Sequence, residues 1–322
     1  MTPSRTKFEL KLGIATREAF GKTLVDLGRE NKDIVVCDAD LSKSTYTSLF
    51  HSEFPDRFVS CGIAESNMAA IAGGFAYAGK IPFIASFSCF VMNKGFEQLR
   101  VAVAYPNLNV KVVGTHSGIS IGEDGPSQMS VEETGLACSL PGFTVISPAD
   151  EVATAALVRA AAAHVGPVFI RTGRMKAPMV YPADQKFQIG KSIVLIEGTD
   201  VTIIATGLLI AEAIRAQEKL EAEGISSRVI DIHTVKPLDR EAIERAASET
   251  GAIVCAEEHL VDGGLGVRVA QVVAETQPCP MEFVGIQDTY AESATPEQLL
   301  DKYGLVARDI IKAVHRLVGR KK

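Results

Sequence analysis

Short runs of consecutive apolar residues alternate with longer amphipathic stretches along the first half of the chain. The runs at Asp33–Cys37, Phe58–Ser60, Ile81–Phe87, Asn109–Gly114, Thr144–Ser147 and Pro167–Arg171 read as strands. Between them, Thr16–Leu27, Ser66–Ala78, Asn93–Ala104, Val131–Ser139 and Asp150–His164 carry helical spacing. Strands that are apolar throughout, rather than alternating with polar residues, are buried on both faces, as in a parallel sheet. Strands alternating with helices predict a doubly wound α/β domain. Near residue 173 the rhythm breaks. The stretch Gly173–Gly190 holds two prolines and no helical period, and reads as a connection. A second series follows. Strands are expected at Ser192–Ile196, Val201–Ala205, Ser227–Ile232, Ala252–Ala256 and Met281–Gly285, and helices at Ile210–Glu223, Asp239–Glu249 and Gly266–Glu275. The expected organisation is an α/β domain over 1–175, a linker over 176–190, and a smaller doubly wound α/β domain over 191–322.

Composition narrows the class. The 322 residues are 47% hydrophobic and 22% charged, which suits packed cores and argues against disorder. Lys and Arg number 33 against 39 Asp and Glu, so the formal charge is 33 − 39 = −6. An acidic chain is a poor partner for nucleic acid but leaves room for a small anion held by local arginines. No apolar run is long enough to span a membrane, and the charged first residues do not read as a signal peptide. Six scattered cysteines without a CxxC pair read as free thiols of a cytoplasmic protein rather than as a zinc or disulfide framework.

Candidate chemistry gathers at the ends of the expected strands. Glu65 follows the strand Phe58–Ser60 and opens an Ala-rich helix. A glutamate there is either a first-turn residue favoured by the helix dipole or a carboxylate aimed at a ligand. Phe87 and Phe90 follow the strand Ile81–Phe87; they either pack in the core or form a wall for a flat heterocycle. His116 and the acidic, Gly-rich loop Gly122–Ser127 come after the next strand, and Arg171 ends the strand after that. An arginine at such an edge suits a phosphate or carboxylate. Strand ends of one parallel sheet converge in space, so these features reinforce one another.

At these positions the chain resembles the C-terminal half of transketolase, that is, the pyrimidine-binding and C-terminal domains as a separate subunit of a split enzyme. The resemblance rests on Ile14-Ala15-Thr16-Arg17, Asp38-Ala39-Asp40-Leu41 with Ser44, Gly62-Ile63-Ala64-Glu65, Ser86-Phe87 with Phe90, Thr115-His116-Ser117, Gly122–Pro126, Ser147-Pro148-Ala149-Asp150 and Ile170-Arg171. The same motifs occur more loosely in deoxyxylulose-phosphate synthase and in the beta subunits of 2-oxoacid dehydrogenases.

The resemblance implies thiamine diphosphate as cofactor and transfer of a two-carbon ketol unit from a ketose to an aldose. It makes Glu65 the catalytic carboxyl at the aminopyrimidine N1′, with Phe87 and Phe90 around that ring and Asp40 and Leu41 also against the cofactor. It assigns Arg17, Ser44, His116, Asp124, Gln128 and Arg171 to the sugar and its terminal anion, a phosphate or a related group. Two positions depart from the family pattern. Asn93 stands where a tyrosine is usual, and Ser127-Gln128 stands where Thr-His is usual, so the sugar is left open. The family's Gly-Asp-Gly segment and following asparagine, which hold the diphosphate and its Mg2+ or Ca2+, have no counterpart here. The resemblance therefore implies a partner subunit carrying that half of the site, with two copies of each chain. Two other readings stand beside this one: half of a different thiamine diphosphate enzyme, or a non-catalytic subunit that stabilises its partner. In the second domain, Asp262–Gly266 reads as a helix-start turn or, less simply, a phosphate loop, and Glu257, Glu258 and His259 as a polar cluster or a metal site.

Overall fold

The computed structural model describes residues 8–320. Fourteen strands lie in it. In chain order they are β1 (Leu12–Ala15), β2 (Ile34–Asp38), β3 (Phe58–Ser60), β4 (Ile81–Phe87), β5 (Lys111–Thr115), β6 (Thr144–Ile146), β7 (Val168–Arg171), β8 (Lys176–Pro178), β9 (Ile193–Ile196), β10 (Val201–Ala205), β11 (Ser227–Asp231), β12 (Thr234–Lys236), β13 (Ile253–Leu260) and β14 (Met281–Ile286). Seven form a sheet in the order β12-β6-β7-β5-β4-β2-β3, and five form a second in the order β14-β13-β10-β11-β9. Only β12 in the first sheet and β9 in the second run antiparallel to their neighbours.

Successive side chains of a strand point to opposite faces, and here each face has its own core. Phe83 and Ala85 of β4 face the helices Thr16–Glu30 and Glu151–Ala163, in a cluster with Phe20, Leu24 and Leu157. Ile84 between them joins Met68 and Ala72 of the helix Glu65–Tyr77 on the other side. Strands buried on both sides are apolar along most of their length, which is why the runs were legible. Asp150 caps the helix after it, accepting the Ala153 N–H at 2.8 Å.

The two halves are less separate than the linker reading suggests. β8 lies within the expected linker and pairs antiparallel with β1, Leu12 opposite Pro178. Val180 and Tyr181 after it are buried, with both backbone N–H groups donating to Asp150 Oδ2 at 2.8 and 2.9 Å. β12 leaves the second half to add an edge strand to the first sheet. Both cores run on across the seam, Ile170 sharing one with Ile203 and Phe169 the other with Ile204. Two helices after β14, Pro296–Lys302 and Ala307–Arg320, complete the second half. No helix among the described residues is long and apolar enough to cross a membrane.

Candidate active site

Parallel strands bring their C-terminal ends to one edge of the sheet, where a crevice opens. At the end of β2, Asp38 is buried and shapes the following turn. Its Oδ1 accepts the Leu41 N–H at 2.6 Å, and its Oδ2 accepts the Thr45 and Thr47 hydroxyls at 2.7 and 2.9 Å. Burial pushes this carboxyl above its ordinary range, against those three hydrogen bonds. The turn holds Asp40 exposed in the left-handed region (φ 66°) and leaves Leu41 half-buried against the core.

Glu65 begins its helix just past β3, yet its side chain is only 1% exposed. A first-turn glutamate serving only the helix dipole would face water; this one turns inward. Its Oε1 meets the Ser86 hydroxyl at 3.4 Å and its Oε2 meets Lys94 Nζ at 3.4 Å. Beside it, Phe87 and Phe90 lie nearly parallel, 9° apart with centroids at 5.7 Å. His116 stacks on Phe87 at 3.8 Å, so three rings line one wall. Thr115 Oγ1 holds His116 Nδ1 at 2.9 Å. Burial, then the nearby Arg17 and Arg174 charges, lower the His116 imidazole to about 3, so it is neutral near pH 7.

Those arginines form the cationic end of the crevice. Arg17 donates from Nη1 to the Ser44 carbonyl at 2.5 Å and from Nε to the Arg174 carbonyl at 3.4 Å, with its guanidinium over the Tyr46 ring at 5.2 Å. Arg174 donates to the Ile121 carbonyl at 2.5 Å and to Glu123 Oε2 at 2.7 Å. Asp124, exposed on the same loop, lies within electrostatic reach of Arg17. Gln128 is half-buried; its carbonyl accepts the Cys89 thiol at 3.1 Å and its side chain accepts the Ser127 hydroxyl at 2.6 Å.

Arg171 departs from expectation. It is buried in the seam between the two sheets, on the wall of a small cavity shared with Thr16, Ser147 and Gly207. Its Nε donates to Glu133 Oε1 at 2.6 Å, its Nη2 to the Glu258 carbonyl at 2.7 Å, and its Nη1 lies 3.8 Å from Glu258 Oε2. A buried guanidinium held between two carboxylates is not available to a substrate anion. Arg174, three residues on and past the strand's end, stands in the crevice instead. It went unread because it fell in the stretch taken for a connection.

The Asp262–Gly266 loop is also resolved. Glu257 fills the start of the helix Leu265–Glu275, accepting the Leu265 and Gly266 N–H groups at 2.7 and 2.8 Å, where a phosphate would sit. Glu258 Oε1 accepts the Ser120 N–H at 2.7 Å, and His259 Nε2 accepts the Gly135 N–H at 3.3 Å, so these residues are spent on packing the seam. Among the described residues, no three His, Cys, Asp or Glu side chains are grouped to hold a metal ion.

Known proteins match along nearly the whole chain. The transketolase pyrimidine-binding domain family covers residues 13–179 and the transketolase C-terminal domain family residues 190–310. A protein described as a transketolase C-terminal section from Methanocaldococcus jannaschii is 41% identical, over 92% of this chain and 94% of its own length. The 6-deoxy-6-sulfo-D-fructose transketolase subunit SqwH of a Clostridium species is 39% identical over 98% of both chains. A solved split-gene transketolase, described as an inactive beta4 tetramer, superposes with a TM-score of 0.90 at 49% identity, covering 96% of this chain and all (100%) of that one. With both domains matched in order, the chain belongs to the transketolase family and spans its pyrimidine-binding and C-terminal domains.

Proposed function

We propose that this chain is one half of a split, thiamine diphosphate-dependent transketolase that moves a two-carbon ketol unit from a ketose to an aldose bearing a terminal anion. The observation that carries the reading is the pairing of a buried Glu65 with the parallel Phe87 and Phe90 rings at one end of a crevice and two arginines at the other. A flat aminopyrimidine fits this donor set: rings to stack on and a carboxyl to share a proton with a ring nitrogen. Bound there, thiamine diphosphate supplies the electron sink for carbon–carbon cleavage. Glu65 holds the proton at N1′. Phe87 and Phe90 clamp the ring, and Leu41 with Asp40 flanks it. His116, being neutral, orients sugar hydroxyls by hydrogen bonding rather than by charge. Asp124 and Gln128 border the same path. Arg17, Arg174 and Ser44 receive the terminal anion, for which guanidinium forks are suited.

The diphosphate and its Mg2+ or Ca2+ belong to a separate subunit, since this chain's residues supply only the pyrimidine half. Each site then lies between unlike chains, and two-fold closure gives two copies of each. The anion is a phosphate or a sulfonate; the Clostridium relative's name speaks for the latter in that protein alone. We assign the first domain to 1–175 and the second to 191–322, with 176–190 as the packed connection. The free thiols Cys37, Cys61, Cys89, Cys138 and Cys255 favour a reducing compartment, the cytoplasm. The test is reconstitution. Alone, the chain should bind thiamine diphosphate weakly and transfer nothing. With its partner it should form a two-plus-two complex active on anionic aldoses. Full activity of the chain alone would overturn the reading.

A further inference from the structure

The segment after Phe87 has an uncommon backbone. Residues Phe90–Lys94 and Leu99–Ala104 run as π-helix, a rare form that clusters at functional sites. Its turns close over i→i+5, so the residue four places on lies closer to the same face than in an α-helix. Accordingly Lys94, not Asn93, shares the face of Phe90. Asn93 donates away from the crevice, to Glu132 Oε1 at 2.7 Å. Lys94 places its Nζ 4.7 Å above the Phe90 ring and 3.4 Å from Glu65 Oε2. The Ser66 hydroxyl fixes the backbone there, donating to the Lys94 carbonyl at 2.6 Å.

A buried carboxylate without a counter-charge is costly, so Glu65 needs this cation in the free chain. Yet the ammonium offers an N–H to Glu65 while resting on the face of Phe90. A ring nitrogen protonated through Glu65 and stacked on Phe90 would need that same place, and one group excludes the other. The Lys94 side chain is 53% exposed, so it has room to swing out.

We propose that Lys94 is a displaceable counter-ion that occupies the pyrimidine seat, satisfies Glu65 while the cofactor is absent, and is expelled when thiamine diphosphate binds. This rests on Glu65 being the pyrimidine carboxylate. A residue that merely supports the fold, or that positions Glu65 for the cofactor, would lower both stability and cofactor affinity when removed. A displaced counter-ion moves them in opposite directions.

The experiment measures thiamine diphosphate binding by calorimetry, with Mg2+, in the complex with the partner subunit, together with the Tm of the cofactor-free complex. In Lys94→Met, binding should tighten roughly 3- to 30-fold, the worth of a partly exposed ion pair plus one cation–π contact, while Tm falls. Lys94→Arg keeps the cation and should stay near the wild type in both. If Lys94→Met does not assemble, Lys94→Gln carries the same expectation. Equal or weaker binding in the neutral variants overturns the proposal and leaves the Glu65 assignment standing. If the folded wild-type complex does not bind thiamine diphosphate at all, the Glu65 assignment fails and the proposal with it.

Discussion

Arg171 and Arg174 are three residues apart and do opposite work. Arg171 ends β7 and is buried in the seam, its guanidinium shared between Glu133 and Glu258. Arg174 lies past the strand's end, partly exposed, beside Arg17 at the mouth of the crevice. The seam is a region of satisfied charge; the crevice is a region of charge awaiting a ligand. Side-chain type did not separate the two. What separates them is position, Arg171 at the last residue of β7 and Arg174 past its end, and the carboxylates Glu133 and Glu258 that meet Arg171 in the seam.

The largest expected effect lies in the seam. Arg171→Met leaves Glu133 and Glu258 buried without their cation, and removing one partner of a buried ion pair costs about 3–5 kcal/mol. Denaturant unfolding should show that loss, with kcat/KM for anionic and neutral acceptors changing in parallel in whatever folds. A stable variant that loses only anionic acceptors would return Arg171 to the crevice and erase the contrast.

In the crevice, Glu65→Gln keeps the shape but not the acid. Turnover should fall at least ~10²-fold, the contribution of a positioned proton-transfer group, while the complex still assembles. Turnover within a few-fold of wild type would remove Glu65 from the chemistry.

Arg174→Ala is the counterpart of the Arg171 change. A charge-assisted contact is worth about 1.5–3 kcal/mol, or about 10- to 150-fold in kcat/KM for a phosphorylated or sulfonated acceptor. Glycolaldehyde, which has no terminal anion, should lose little, and unfolding should be nearly unchanged. Equal losses for both acceptors would make Arg174 structural as well.

These residues mark what was legible beforehand. Strands buried on both faces announce themselves, and β3, β4 and β10 run over the same residues as the apolar segments that foretold them. Glu65, Phe87 and Phe90 were legible because they follow such strands directly. β12 was not: its three residues, Thr234–Lys236, have no pattern of their own and join the first sheet only through tertiary pairing with β6. Lys94 was hidden for a related reason. It sits four residues after Phe90, a spacing that shares a face in an α-helical register as in the π turn, but spacing does not show that its ammonium turns to Glu65, which is a tertiary contact.

The smallest effect concerns pH and again divides the two regions. In the seam, Tyr181 donates to Asp231 Oδ2 at 2.5 Å, while Asp231 Oδ1 and His233 Nε2 are buried without a hydrogen-bond partner. Burial pushes the Asp231 carboxyl up to about 7, against the Tyr181 hydrogen bond. An acid harder to ionise when folded stabilises the fold fully below its unfolded value of about 4, and that contribution is lost as pH rises toward 7. Burial also lowers His233 to about 4, which acts in the opposite sense: stability present above about 6.5 and lost as pH falls. Asp231→Asn isolates the first term. The Tm difference, wild type minus variant, should grow as pH falls from 7 to 5, whereas a difference that stays flat would mean Asp231 is ionised in the folded chain. The crevice should be silent over the same range, since His116 in the free complex is already neutral there and its imidazole signals should not titrate. An inflection near pH 6.5 would show that His116 carries charge at the anion site, and the contrast between a pH-sensitive seam and an insensitive crevice would be lost.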